Sequence, residues 1–227
     1  AVGAYSDYPP EVRRLPVVGD VSQVNLEAVL ALKPTRVITW DGGTPLAQLA
    51  MLKAVHLPVT VLKIEHLRDV AEALESLGEV LGTPKQAAAA AARYRQGLAA
   101  LADAHQAQKK VRVLYQIETS PVYSINHRSP ISEAITLCGG VNVFADLPTL
   151  AASVSDEAVL LARPQVVVHG PEDAKAIQAY WSRFSQTAVQ PRLVAINPDL
   201  LARSGPRLVQ GVEQLCAALD EVRRTSP

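Results

Sequence analysis

Aromatic residues, cysteines and net charge are all scarce in this chain of 227 residues. Phe, Trp and Tyr make up 4% of it, two residues are cysteines, and 22 basic residues balance 22 acidic ones to a net charge of zero. Nucleic acids and anionic membrane surfaces attract proteins with a basic excess. The charge balance therefore argues against both as the main partner, and no nucleic-acid partner is predicted.

The sequence also lacks most motifs that identify enzymes and metal sites. It contains neither a GxGxxG nor a GxxxxGKS/T phosphate loop, no nucleophile elbow, and no paired motif of Ser or Cys with His. The five histidines are scattered and no Cys/His spacing is typical of zinc, so no metal site is predicted. We predict a protein that is not an enzyme. An enzyme on a doubly wound fold stays open as the less favoured alternative.

Membrane and targeting signals are missing as well. No run of about 18 apolar residues predicts a transmembrane helix. The first residues do not have the pattern of a secretory signal peptide, as expected if Ala1 follows a cleavage site or a truncation. The two cysteines, Cys138 and Cys216, leave two alternatives open at this point, one disulfide or two buried thiols.

Short apolar segments alternate with amphipathic ones along the chain, and hydrophobic residues total 48%. Apolar, β-branched runs predict strands at 37–39, 59–62, 111–115, 166–169 and 193–196. Helical periodicity predicts helices at 25–32, 45–55, 67–81, 131–137, 157–162, 174–180 and 208–222. This alternation predicts an α/β fold of mostly parallel sheets with helices on both faces.

Residues 85–108 predict one long helix that stands apart from this pattern. The segment follows Thr83-Pro84, a favourable helix start, and contains six consecutive alanines at 87–92. Because similar α/β patterns lie on either side, we predict three parts. They are an N-terminal lobe at 1–82, a linking helix at 83–108 and a C-terminal lobe at 109–227. An ordinary surface helix within one sheet is the alternative.

Several motifs in chain order resemble those of a known family. They are Tyr5-Ser-Asp-Tyr-Pro-Pro10, Asn25-Leu-Glu27 with Ala31-Leu-Lys-Pro34, Val37-Ile-Thr-Trp40-Asp-Gly-Gly43, Cys138-Gly-Gly-Val-Asn-Val-Phe144, Ser155-Asp-Glu157 with Ala162-Arg-Pro164, and Arg203-Ser-Gly-Pro-Arg207. At matching spacings over almost the whole chain, they resemble the helix-hinged substrate-binding proteins of ABC importers. Within that class they are similar to the cobalamin-binding branch.

The resemblance implies two α/β lobes joined by one long backbone helix, in a periplasmic monomer that serves vitamin uptake. It implies that cobalamin or a related corrinoid binds between the lobes as cargo, with no cofactor. A membrane permease and its ATPase are then the partners that receive this cargo. Ferric siderophore or haem binding is the alternative, since those binders share several of the motifs.

Five residues match ligand-binding positions of the family: Tyr5, Trp40, Tyr123, Asp199 and Arg203. The three aromatic residues are predicted in loops that follow strands, where they offer flat faces to a corrin ring. Asp199 is expected to accept hydrogen bonds from the ligand's amide groups. The alternatives are that Trp40 caps the core of its sheet and that the Asp199 loop only caps a helix.

The resemblance assigns two further pairs. Glu27 and Glu157 occupy equivalent places, one per lobe, and correspond to the family's permease-docking carboxylates. The alternative is that each only complements a helix dipole. Cys138 and Cys216 match the family's disulfide, which would form in an oxidising periplasm.

Three departures from the family bear on ligand contact. Family members begin with a further strand and helix, and Ala1–Ala4 looks like their second strand, so the first lobe is expected to lack its first strand and helix, naturally or by truncation. Val21 and Ala151 stand where the cobalamin binder has tryptophans. A smaller aromatic surface is expected, for which Tyr8 is a partial substitute.

Overall fold

The structure is a computed structural model that describes residues 1–105 and 107–225. The chain divides into two compact units, Ala1–Ile64 and Glu65–Pro227. Both units are built of helices and mostly parallel strands, which confirms the predicted fold class. The long helix falls in the second unit in this division, and the lobe boundaries predicted from the sequence stay a prediction.

The first unit is small and holds two strands. Its elements are a 3-10 helix Pro10–Arg14, α1 Leu26–Ala31, β1 Val37–Trp40, α2 Leu46–Ala54 and β2 Val59–Leu62. Strands β1 and β2 pair in parallel across the α2 crossover. The segment Ala1–Ala4 contributes an isolated parallel bridge from Val2 to Val17 in place of the strand expected there.

The second unit contains the larger sheet. Its helices are α3 Asp69–Val80, α4 Pro84–His105, α5 Pro130–Leu137, α6 Asp156–Ala162, α7 Ala174–Ser182, α8 Pro198–Leu201 and α9 Leu208–Thr225, with a 3-10 helix at Pro171–Asp173. Its strands are β3 Val111–Tyr115, β4 Val122–Ile125, β5 Gly140–Asn142, β6 Ala151–Val154, β7 Val166–His169 and β8 Arg192–Ala195. A parallel sheet runs in the order β5-β3-β7-β8, while β4 and β6 form a separate antiparallel pair.

The predicted long helix is present as α4, which spans Pro84–His105. Ala107 and Gln108 lie outside it, and Gln106, the remaining residue of the predicted C-terminal end, lies outside the described residues. Gly78 of α3 allows α3 and α4 to approach closely, because a Cβ there would stand 2.1 Å from the Cβ of Ala87. The end of α4 is held by His105, whose Nε2 lies 3.0 Å from Asp220 of α9.

A disulfide joins Cys138, at the end of α5, to Cys216 of α9, and both residues are buried. This confirms the pairing that the family resemblance implied.

A hydrophobic cluster includes residues of the neighbouring strands β3 and β7. Its buried members are Leu114, Val122, Val159, Val167, Ile177, Tyr180, Trp181 and Val189. The Trp181 indole donates a hydrogen bond of 3.0 Å to Oε1 of Gln116, so its polar atom is satisfied.

None of the helices within residues 1–105 and 107–225 is both long and apolar enough to span a bilayer.

Candidate functional site

Trp40 is the last residue of β1, and its indole lies against the loop that follows. A Cβ at Gly43 would stand 1.8 Å from Cε2 of the indole, so only glycine leaves room for the ring. Two backbone hydrogen bonds fix the loop, from Asp41 N–H to the Leu62 carbonyl (2.7 Å) and from Gly43 N–H to the Trp40 carbonyl (3.2 Å). The side chain is 59% exposed, so it presents one face to solvent and contributes little to the core.

Tyr5 lies in a turn at the start of the first unit and is mostly exposed. The hydrogen bond from Ala4 N–H to the Gly19 carbonyl (2.8 Å) holds this turn beside the loop that carries Val21, which is itself exposed. Asp20 shapes that loop, because its Oδ1 accepts hydrogen bonds from the Ser22 hydroxyl and from two backbone N–H groups. These bonds, the hydroxyl's first, hold the pKa of the Asp20 carboxyl below its usual range. Tyr8 is likewise exposed.

Tyr123 differs from its predicted setting, which was a loop after a strand. It lies within β4, where it pairs with Ser153 of the antiparallel neighbour β6. Its ring is partly exposed, and Ala151 begins β6 opposite Ile125 on the same ribbon. The short strand was missed because the segment from Ser120 to Pro121 reads as a turn and leaves few residues to show alternation.

Asp199 and Arg203 form an ion pair on and just after α8, with 2.9 Å between Oδ1 and Nε. Asn197 is the N-cap of α8, since its side chain accepts the Asp199 N–H at 2.9 Å. The two functions of this loop are therefore separate. The asparagine caps the helix, and the aspartate carboxylate accepts from the arginine.

The predicted ligand residues are divided between the units. Tyr5 and Trp40 belong to the first unit, whereas Tyr123, Asp199 and Arg203 belong to the second. Within the second unit, Asp199 and Arg203 are in direct contact. Among the described residues, no group of three or more His, Cys, Asp or Glu could hold a metal ion.

Helix α1 of the first unit and helix α6 of the second begin and end in closely similar ways. The N-cap Asn25 accepts the Ala28 N–H at 3.0 Å, and the N-cap Ser155 accepts the Ala158 N–H at 3.1 Å. A basic residue with positive φ follows each helix, Lys33 at 45° and Arg163 at 43°. A proline follows each of them before the next parallel strand. The same helix-to-strand unit therefore occurs twice.

Glu27 and Glu157 occupy the same position in this repeat, two residues after the N-cap, and both are exposed. Two residues further on, Val29 and Val159 are buried, so the glutamates lie on the solvent side. Neither carboxylate forms a salt bridge with any described residue. The shared sequence Glu-Ala-Val-Leu was a signal of this repeat that the sequence analysis did not use.

Asp156, next to Glu157, has a different role. Its two oxygens bind the Tyr180 hydroxyl at 2.9 Å and the Arg183 guanidinium at 3.1 Å. Burial, together with the bond to Asp156, raises the pKa of Tyr180 well above its usual range. Asp156 thus fixes α6 to α7, while Glu157 remains available to a partner.

Comparison with known proteins places this architecture in a class. A family model described as periplasmic binding protein matches residues 1–180. The chain therefore belongs to the periplasmic binding protein family.

Within this family, the chain is similar to vitamin B12-binding proteins. The chain is 34% identical over 223 residues to the vitamin B12-binding protein of Pectobacterium carotovorum, covering 96% of this chain and 79% of the relative. It is 32% identical over 223 residues to that of Photorhabdus laumondii, covering 97% and 80%.

Two solved structures of periplasmic binding proteins are also similar to this chain. The periplasmic vitamin B12 binding protein BtuF of Vibrio cholerae superposes with a TM-score of 0.86 at 31% identity, covering 99% of this chain and 89% of that one. A periplasmic heme binding protein from Pseudomonas aeruginosa gives a TM-score of 0.81 at 28% identity, covering 96% and 83%. The fold is thus shared by binders of two flat macrocyclic ligands.

Proposed function

We propose that this protein is the substrate-binding protein of an ABC importer, which captures cobalamin or a related corrinoid and delivers it to a membrane permease and its ATPase. The observation that carries the proposal is the exposed indole of Trp40, packed against Gly43 in a chain with few aromatic residues. The similarity to vitamin B12-binding proteins over nearly the whole chain supports the corrinoid as ligand.

The chemistry of a corrin suits the candidate residues. A corrin is a broad, largely apolar disc with amide side arms, so it gains contact area from exposed rings such as Tyr5, Trp40 and Tyr123. Asp199 offers a carboxylate acceptor to amide N–H groups, and Arg203 at 2.9 Å keeps that carboxylate oriented. Cobalamin is cargo in this proposal, so the protein needs neither a cofactor nor a catalytic group.

The expected compartment is the periplasm. A buried Cys138–Cys216 disulfide forms and persists in an oxidising environment, which the periplasm provides. Family membership supports the same location. We expect a monomer there, with the permease as the macromolecular partner.

Glu27 and Glu157 are the proposed docking residues. Two exposed carboxylates, one on each unit and each without a salt bridge among the described residues, can accept bidentate contacts from arginine. Reversing both charges, Glu27→Lys with Glu157→Lys, should abolish docking to the permease and leave ligand affinity unchanged. Transport at the wild-type rate in this double variant would disprove the docking assignment.

Haem is the second candidate ligand. The heme binding protein of Pseudomonas aeruginosa is 28% identical to this chain. Val21 and Ala151 also leave less aromatic surface than the cobalamin-binding pattern has, and a porphyrin is a smaller disc than a corrin with its side arms. Haem and ferric siderophores therefore belong in the binding test.

The deciding experiment is isothermal titration with cyanocobalamin, cobinamide, hemin and a ferric siderophore. We expect stoichiometric binding of cyanocobalamin that Trp40→Ala weakens at least tenfold. Leu81→Ala, which removes another exposed apolar side chain of similar exposure, is the matched control and should bind normally. Binding of hemin or the siderophore alone would replace the corrinoid, and loss of affinity in Leu81→Ala as well would show that the test is not site-specific.

A further inference from the structure

The two docking glutamates differ in what surrounds them. On α6, Leu161 follows Glu157 by four residues and is 74% exposed. On α1, Ala31 has that position, and Leu30, three residues after Glu27, is 42% exposed. Residues three and four apart on a helix lie on one face, so each carboxylate has an exposed leucine beside it.

Leu161 is not a core residue that happens to reach the surface. Val29 and Val159 supply the buried side of the two helices, and Leu160 packs against the core beside Val159. Leu161 therefore has no packing role that accounts for its exposure. A single exposed leucine is ordinary on a protein surface. Its occurrence beside an exposed carboxylate on both helices, four residues after Glu157 on α6 and three after Glu27 on α1, is what points to a partner.

Charge complementarity defines that partner. A carboxylate that has no salt bridge among the described residues attracts a cation, and a long cationic side chain carries an apolar stem that can lie on a leucine. The fitting surface is therefore a protein surface with a cationic side chain set among apolar ones. A nucleic acid would instead present an anionic backbone, which a carboxylate repels.

Building on the proposed function, we infer that Leu30 and Leu161 pack against apolar surface of the permease beside the cations that bind Glu27 and Glu157. The contact at Leu161 is the larger, because more of that side chain is available to be buried. The second unit then contributes more docking affinity than the first, although the two carboxylates are equivalent in position.

The test measures docking to a purified vitamin B12 permease–ATPase complex in lipid nanodiscs by biolayer interferometry. Leu161→Ala should raise the dissociation constant about tenfold and Leu30→Ala about threefold, in line with the apolar area each loses. Ala31→Leu adds a leucine where the first unit lacks one and should lower the dissociation constant. Leu46→Ala, at a leucine 81% exposed but outside the repeat, is the matched control and should dock as wild type.

The outcomes separate this inference from the proposed function. If wild type docks and the double charge reversal does not, but Leu161→Ala docks like Leu46→Ala, the inference fails and the proposed function stands. If wild type binds cyanocobalamin yet does not dock, the permease partnership fails and takes the inference with it. A concentration-dependent dimer in light scattering that Leu161→Ala abolishes would make a second copy of the chain the occupant, and would also overturn the inference.

Discussion

The two units bury very different amounts of apolar surface. In residues 1–64, all of which the structure describes, the buried side chains are Val29, Leu49 and Leu52, and the sheet has two strands. The second unit has a four-stranded parallel sheet, a buried disulfide and a continuous core cluster. A two-stranded sheet is marginal on its own, so the second unit supplies most of the free energy of unfolding.

The difference bears on ligand capture. Tyr5 and Trp40 lie in the unit with the small core, whereas Asp199 and Arg203 lie in the unit with the large one. A ligand that contacts Tyr5 and Trp40 gives the first unit apolar contacts that its own core does not provide. Binding to the folded state also stabilises it by mass action. We therefore expect bound ligand to protect the first unit more than the second against amide exchange.

The largest expected loss of stability comes from removing the disulfide of the second unit. Cys138→Ala with Cys216→Ala should lower the free energy of unfolding by about 4 kcal/mol, because the crosslink closes a loop of 78 residues. Urea unfolding followed by circular dichroism measures this loss. Dithiothreitol should destabilise wild type similarly and leave the double variant unchanged. A loss under about 1 kcal/mol would mean that the second unit does not depend on the bridge.

A matched pair of core truncations separates the units. Leu52 of the first unit and Leu114 of the second are both almost fully buried, at 1% and 0% exposure. Each change to alanine should cost about 3 kcal/mol. Leu52→Ala should raise amide exchange within 1–64 alone, because the small core there has lost one of three members. Leu114→Ala should lower the midpoint of global unfolding. Equal exchange throughout the chain in both variants would show that the units unfold as one.

The sequence predicted the second unit's central strands well and its short ones poorly. In β7, Val166–His169, all four residues are buried, so the run of valines is an unambiguous signal. The three residues of β5, Gly140–Asn142, and the small residues of β6, Ala151–Val154, have no such pattern. Their pairing depends on neighbours distant in the chain, which a local pattern cannot show.

The candidate site was predictable by residue type but not by geometry. The resemblance to a family located Trp40, but not the contact of its indole with Gly43, which requires coordinates. Leu160 and Leu161 look alike in the sequence. The N-cap Ser155 and the buried Val159 set the helix phase, and that phase turns Leu160 inward and Leu161 outward.

Gly43→Ala is expected to give the smallest change in stability, and it tests whether the position of the Trp40 ring in the first unit determines ligand binding. The new Cβ would stand 1.8 Å from the indole, so the ring must leave its place on the loop. Because the indole is largely exposed, the free energy of unfolding should change by no more than about 0.5 kcal/mol. Affinity for cyanocobalamin should nevertheless fall about tenfold, since the ring's aromatic face is displaced. Gly205→Ala, where a Cβ meets nothing within 4 Å, is the control for the substitution itself. Unchanged affinity in Gly43→Ala would mean that the position of the Trp40 ring does not determine ligand binding, whereas a large loss of stability would mean that the small unit depends on this ring for its fold.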